Sequence, residues 1–148
     1  MPITTIYDPE DLIIDLVRDL FNEELIFIDA DVSELSNEVF LDFEDADDRV
    51  GILVLNAGFR TDPLTGNSRS PVQRLKMLWQ VIIVCPKELY KTNGAVKQME
   101  VMQLLKGSRL SPEVGIMQLV DDERGFNRPD MEADLAYLPM MFTVETVI

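Results

Sequence analysis

The chain has 148 residues, 47% of them hydrophobic, and 27 acidic against 13 basic groups give it a formal net charge of −14. That length and composition support one domain with an ordinary core and argue against wholesale disorder. It holds no histidine and a single cysteine, Cys85; this excludes Ser-His-Asp and Cys-His catalysis, removes the commonest metal ligand, and leaves no internal disulfide.

Asp8 suits a helix N-cap, Pro9 the first helical position, and Glu10 and Asp11 the positive end of the dipole. Leu12, Ile13, Leu16, Val17, Leu20 and Phe21 then recur at helical spacing, which predicts a helix over 8–24 with one buried stripe. Residues 25–37 read as irregular, with Ile26, Phe27 and Ile28 able to add a short buried element. From residue 38, Val39, Leu41 and Phe43 alternate with polar neighbours and predict a half-buried strand. Asp45-Ala46-Asp47-Asp48 reads as a turn, and 49–57 as a second strand, so the two form an antiparallel hairpin.

Residues 58–73 are rich in Gly, Pro, Ser and Asn and lack periodicity, so they read as a long loop: an extended arm or a loose hairpin tip. In the third strand Leu75, Met77, Trp79, Val81, Ile83 and Cys85 share one face, and the far end is apolar on both faces. That end is expected at the centre of a sheet, covered on both sides, and closed by Pro86. A second helix is predicted over 93–106, capped by Asn93, ended by Gly107, with Val96, Met99, Met102 and Leu105 as its stripe. A short strand at 114–120, a polar turn at 121–130, and a strand pair or bent strand over 133–147 complete the chain; Pro139 argues for an edge or a bulge there. The order is α-β-β-β-α-β-β, and the expected fold is α+β: a single domain over 1–148, a mostly antiparallel sheet with two main helices packed on it.

Charge is placed unevenly. Residues 1–48 carry 16 acidic groups and one basic group, 49–109 carry ten basic and three acidic, and 110–148 carry eight acidic and two basic. Oppositely charged surfaces on one subunit favour and orient association with neighbours. Asp42, Glu44, Asp45, Asp47 and Asp48 form the densest carboxylate run. A Mg²⁺-dependent nuclease could be built on Asp42, Glu44 and Asp45, but no lysine follows closely and the EF-hand spacing is missing, so a solvated hairpin end is the favoured reading. An acidic DNA-mimic inhibitor is a further alternative. No phosphate-binding glycine motif occurs, and Cys85 reads as a packed thiol. Arg60, Arg69, Arg74 and Lys76 cluster around the long loop and suit pairing with a neighbour's acidic face better than nucleic-acid binding, and Arg60, Asp62, Arg69 and Arg74 are the expected inter-subunit loop residues. No cofactor, metal or catalytic residue is expected. The opening residues Met1 to Thr5 lack a basic stretch before an apolar one, and no apolar run approaches the roughly 18–20 residues of a spanning helix, so a soluble chain without membrane contact is expected.

The layout resembles that of the tail terminator (tail completion) proteins of Mu-like contractile-tailed bacteriophages. The likeness rests on the opening helix from Asp8 to Glu24, the apolar strand Val50-Gly51-Ile52-Leu53-Val54-Leu55, and the variable loop that follows it. It continues in Trp79-Gln80-Val81-Ile82-Ile83-Val84, the helix end Leu104-Leu105-Lys106-Gly107, and the closing strand Tyr137-Leu138-Pro139-Met140-Met141-Phe142-Thr143-Val144. The acidic opening block and Pro139 depart from that pattern. The resemblance implies a non-enzymatic virion protein of the tail or neck, assembled in the host cytoplasm. It implies a ring, typically of six subunits, capping the tail tube, with tube or sheath protein below and a head-tail connector above. Genomic DNA would pass through without specific binding, and the carboxylates of 42–48 would then face the lumen. Another head-tail connector or neck protein is the nearest alternative.

Overall fold

The computed structural model describes residues 8–63, 73–111, 114–120 and 130–147. The fold is α+β. Helix α1 spans Asp8–Val17, strand β1 Ile26–Ile28, helix α2 Asn37–Leu41, β2 Gly51–Pro63, β3 Gln73–Pro86 and helix α3 Ala95–Leu105. Strands β4 (Arg109–Ser111), β5 (Val114–Ile116), β6 (Gln118–Leu119), β7 (Asp130–Glu132) and β8 (Leu135–Val147) follow. The main sheet runs β1-β2-β3-β8-β6, with β7 also on β8, while β4 and β5 pair separately. All pairings are antiparallel except β1 with β2.

The opening helix is shorter than its periodicity predicts. After Val17 the chain tightens into a 3₁₀ turn at Arg18–Leu20, becomes extended at Phe21, and turns again at Glu23–Leu25. Asp19, Glu23 and Glu24 would load acid onto the negative end of a longer helix dipole. Arg18 instead bridges back to Asp15 at 3.4 Å and forward to Glu23 at 2.7 Å.

The expected strand at 38–44, and its hairpin with 49–57, do not form. Residues 37–41 are helical and 46–49 make a 3₁₀ turn. Phe40, on the polar side of the expected strand, is fully buried, while Leu41 is exposed. Phe40 with its half-buried neighbours Val39 and Phe43 makes a helical arc that packs on the sheet, its ring 6.0 Å from that of Phe27. The strand neighbour of β2 is β1 instead, in parallel register Ile26↔Ile52, Phe27↔Leu53, Ile28↔Val54. Parallel neighbours need a crossover, and residues 29–50 supply it across one face of the sheet.

The sheet therefore has two covers. On one face Ile13 and Val17 of α1 and Val101 and Leu105 of α3 cluster with Ile52, Val54, Met77, Trp79, Val81, Ile83, Met140 and Phe142. On the other, Leu25, Phe27 and Phe40 cluster with Leu53, Ile82, Val84 and Leu135. The apolar end of β3 is thus covered on both sides, as its sequence predicts. Helix α3 is turned part-way from the expected face: Leu105 is buried and Met102 packs on the core as expected, but Val101 joins them while Val96 and Met99 are exposed. Its apolar residues lie nearly all round the helix, so periodicity does not select a face. A π-helical turn at Tyr90–Gly94, not an Asn93 cap, leads into it. Gly107 ends it with φ +82, the left-handed conformation that glycine adopts without penalty.

The β3–β8 register runs unbroken from Arg74↔Val147 to Pro86↔Leu135, through Ile82↔Pro139. Pro139 therefore marks no bulge, but it does hold a local edge position: on the far side of β8, β7 reaches residues 135–137 and β6 reaches 142–143, so none of the described strands pairs there. The expected strand at 114–120 is broken at the fully buried Met117. Most of the polar turn at 121–130 lies outside the described residues.

Gly51, at the crossover's entry to β2, has no room for a side chain: a Cβ would sit 2.6 Å from the Leu25 carbonyl oxygen and 3.0 Å from the Phe40 ring. Gly51→Ala is expected to cost about 1–3 kcal/mol by overpacking, read as a lower urea midpoint at unchanged m-value.

Candidate interaction surfaces

The five carboxylates of the acidic run are all exposed. Asp45 caps the 3₁₀ turn, its Oδ1 accepting from the Asp47 backbone N–H at 3.2 Å. Asp47 Oδ1 accepts from the Asn93 amide, which ties this turn to the segment ahead of α3. The Arg49 Nε donates to the Phe43 carbonyl at 2.6 Å and holds the two ends of the run together. Asp47 and Asp48 border a cleft with Asp19, Phe21 and Lys97, leaving Asp42 and Glu44 on the α2 side of the turn. Among the described residues, no three acidic or cysteine side chains converge as a metal site.

The long loop is much shorter than the sequence suggests. Gly58 to Pro63 continue β2, and β3 begins at Gln73, so only 64–72, including Arg69, lie outside the described residues. The alternation was hidden by a bulge: the register slips between Asn56 and Gly58, shifting the side-chain phase by one residue. Gly58 takes φ +122 there, and Asn56 Oδ1 accepts from its N–H at 3.0 Å. Arg60 and Asp62 are therefore strand positions, opposite Lys76 and Arg74 respectively.

The crossover covers only one end of its face of the sheet. Further along, the rows Leu55–Gln80–Met141 and Gly58–Leu78–Thr143 lie half-buried, with no helix over them among the described residues. Next to the covered end is a hollow of about 220 Å³ lined by Leu53, Gln80, Ile82, Asp130, Glu132, Tyr137 and Pro139. Its floor is apolar and its rim carries two exposed carboxylates. A second hollow adjoins it, lined by Val32, Leu35, Ser36 and Asn37 of the crossover and by residues 132–135 and Tyr137. The β7–β8 turn builds the wall between them, with Ala133 in a left-handed conformation at φ 53. Burial, then Glu132, then Asp130 push the Tyr137 hydroxyl above its ordinary range. The sequence reading missed these residues. The period-two spacing of Asp130 and Glu132 was the one local signal, and only the β7–β8 pairing brings them to Tyr137.

Cys85 is fully buried, as expected for a packed thiol, and burial with help from Glu88 pushes it up to about 12. Trp79 is likewise core. Among the described residues, no helix is long and apolar enough to cross a membrane. No protein-family model and no curated protein matches the chain.

Two titrations check this geometry. The Tyr137 phenolate, assigned by difference from Tyr137→Phe, should form above about pH 10, and the double change Asp130→Asn with Glu132→Gln should bring it down toward that value. The Cys85 thiol has an ordinary value near 9.0 when exposed and is pushed up to about 12 in the fold. The unfolded state therefore loses its proton first, so stability is complete below pH 9 and falls as pH rises toward 12. Cys85→Ala should flatten that part of the pH–stability curve, and in the native protein the thiol should resist disulfide reagents until unfolding.

Proposed function

We propose that this chain is a structural protein of a contractile phage tail, a tail terminator that closes the tail tube as a ring, with six subunits as the expected number. The separation of charge within one subunit carries the reading. Exposed carboxylates crowd the crossover between β1 and β2, whereas the basic residues Arg60, Arg74 and Lys76 sit toward the far end of the β2–β3 hairpin. A ring needs two different surfaces that complement each other when copies repeat around an axis. The α+β layout, with its opening helix, central Trp79 strand, Gly107-ended helix and long closing strand, agrees with the order that the resemblance implies.

In that assembly the partners are other copies of the chain, the tube or sheath protein below and a head-tail connector above, within the virion. Asp42, Glu44, Asp45, Asp47 and Asp48 line the lumen. There they repel the phosphate backbone, so DNA slides through without sticking.

The test is electron microscopy of the protein mixed with its tail-tube subunits. Rings at tube ends, with tubes held to one length, are expected; tubes of unregulated length with bare ends reject the reading. Carboxylates of 42–48 on the outer rim of such a ring would reject the lumen assignment alone.

A further inference from the structure

We propose that the acidic hollow on the open face of the sheet receives a basic side chain from the β2–β3 hairpin of a neighbouring copy, so that subunits join hairpin into hollow, head to tail. The inference rests on the assembly reading above and names the contact that would build it.

The hollow combines two features that one kind of side chain satisfies together. Its floor is hydrocarbon: Leu53 and Ile82 are 3% and 7% exposed, and Pro139 is buried beside them. Its rim is anionic, and among the described residues no cation pairs with Asp130 or Glu132. In the adjoining hollow, the buried amide oxygen of Asn37 has no donor among the described residues. Among the described residues the rim thus carries negative charge without a cation. An arginine or lysine lays its aliphatic stem on apolar surface and carries its charged donors to carboxylates.

The chain's own basic block supplies such side chains on the hairpin. Between residues 60 and 76 the sequence holds Arg60, Arg69, Arg74 and Lys76 against one carboxylate, Asp62. Val147, the last residue of β8, pairs with Arg74, and Pro63 pairs with Gln73 one position further, so these basic positions lie at the end of the sheet away from the hollow. It cannot fill its own hollow. Glu132 pairs with Leu135 and Arg74 with Val147, which puts them at opposite ends of β8. Twelve residues at about 3.3 Å each separate them by roughly 40 Å. A hairpin side chain that fills the hollow therefore comes from another copy. Because hairpin and hollow are different surfaces, each contact leaves one of each free, and repetition closes a ring or extends a filament.

Disulfide trapping tests this on the full-length protein at high subunit concentration, with the buried Cys85 left in place. Glu132→Cys mixed with Arg74→Cys should give a covalent dimer under mild oxidation, while each variant alone should not. The double variant should give a ladder of covalent oligomers. No adduct in the mixture overturns the inference. A dimer from Glu132→Cys alone also overturns it, since the hollow then meets a second hollow across a twofold axis. A ladder that grows without closing upholds the contact and removes the ring reading. Asp130→Cys in place of Glu132→Cys repeats the test from the other rim position, with thermal melts showing that each variant is folded.

Discussion

Strand β3 has to satisfy its backbone on both sides along nearly its whole length, and that constraint orders the rest of the molecule. β2 pairs with it from Gly51↔Val84 to Pro63↔Gln73, and β8 from Pro86↔Leu135 to Arg74↔Val147. A strand so enclosed presents two faces that need cover. One alternate set, Leu75, Met77, Trp79, Val81, Ile83 and Cys85, is buried throughout. The other is continuously apolar only at one end, at Ile82 and Val84, and there the crossover from β1 packs on it. The burial of each such side chain contributes about 1.5–3 kcal/mol, so the cover lies over the wholly apolar end, while Leu78 further along alternates with Gln80 and Lys76 and stays half-buried.

The uncovered remainder is where apolar surface and charge lie side by side. Past Ile82 the second face carries Gln80, Leu78 and Lys76 in turn, half-buried and without a helix above them among the described residues. The β7–β8 turn raises Asp130 and Glu132 beside it, and burial together with these two carboxylates pushes the Tyr137 hydroxyl above its ordinary range. The same strands run on at the other end into a hairpin with basic positions. Both surfaces follow from one sheet being longer than the segment that covers it.

Much of the fold was legible. The central strand with its two-sided apolar end, the helix closed by Gly107 and the closing strand are each strong local signals, and all three stand where they were expected. The misplaced elements share a cause. At 38–44 the apolar residues are spaced ambiguously, and burial of Phe40 against Phe27, a contact across 13 residues, selected helix over strand. At Gly58 one extra residue shifted the alternation and made a strand look like a loop. On α3 nearly every face is apolar, so packing against Ile13, Val17 and the sheet chose Val101, beside the expected Leu105, over Val96 and Met99.

The sequence by itself determined the α+β class, the identity of the central strand, the buried thiol of Cys85 and the division of charge along the chain. These depend on residue type and on spacings within a single element, which local sterics and hydrophobicity control. The tertiary structure alone decided that β1 lies parallel to β2, that α3 turns Val96 and Met99 outward, and that Asp130, Glu132, Tyr137 and Asn37 meet at adjoining hollows. Each of those depends on contacts between segments far apart in the chain, where the choice belongs to whichever surfaces remain to be covered once β3 has its two partners.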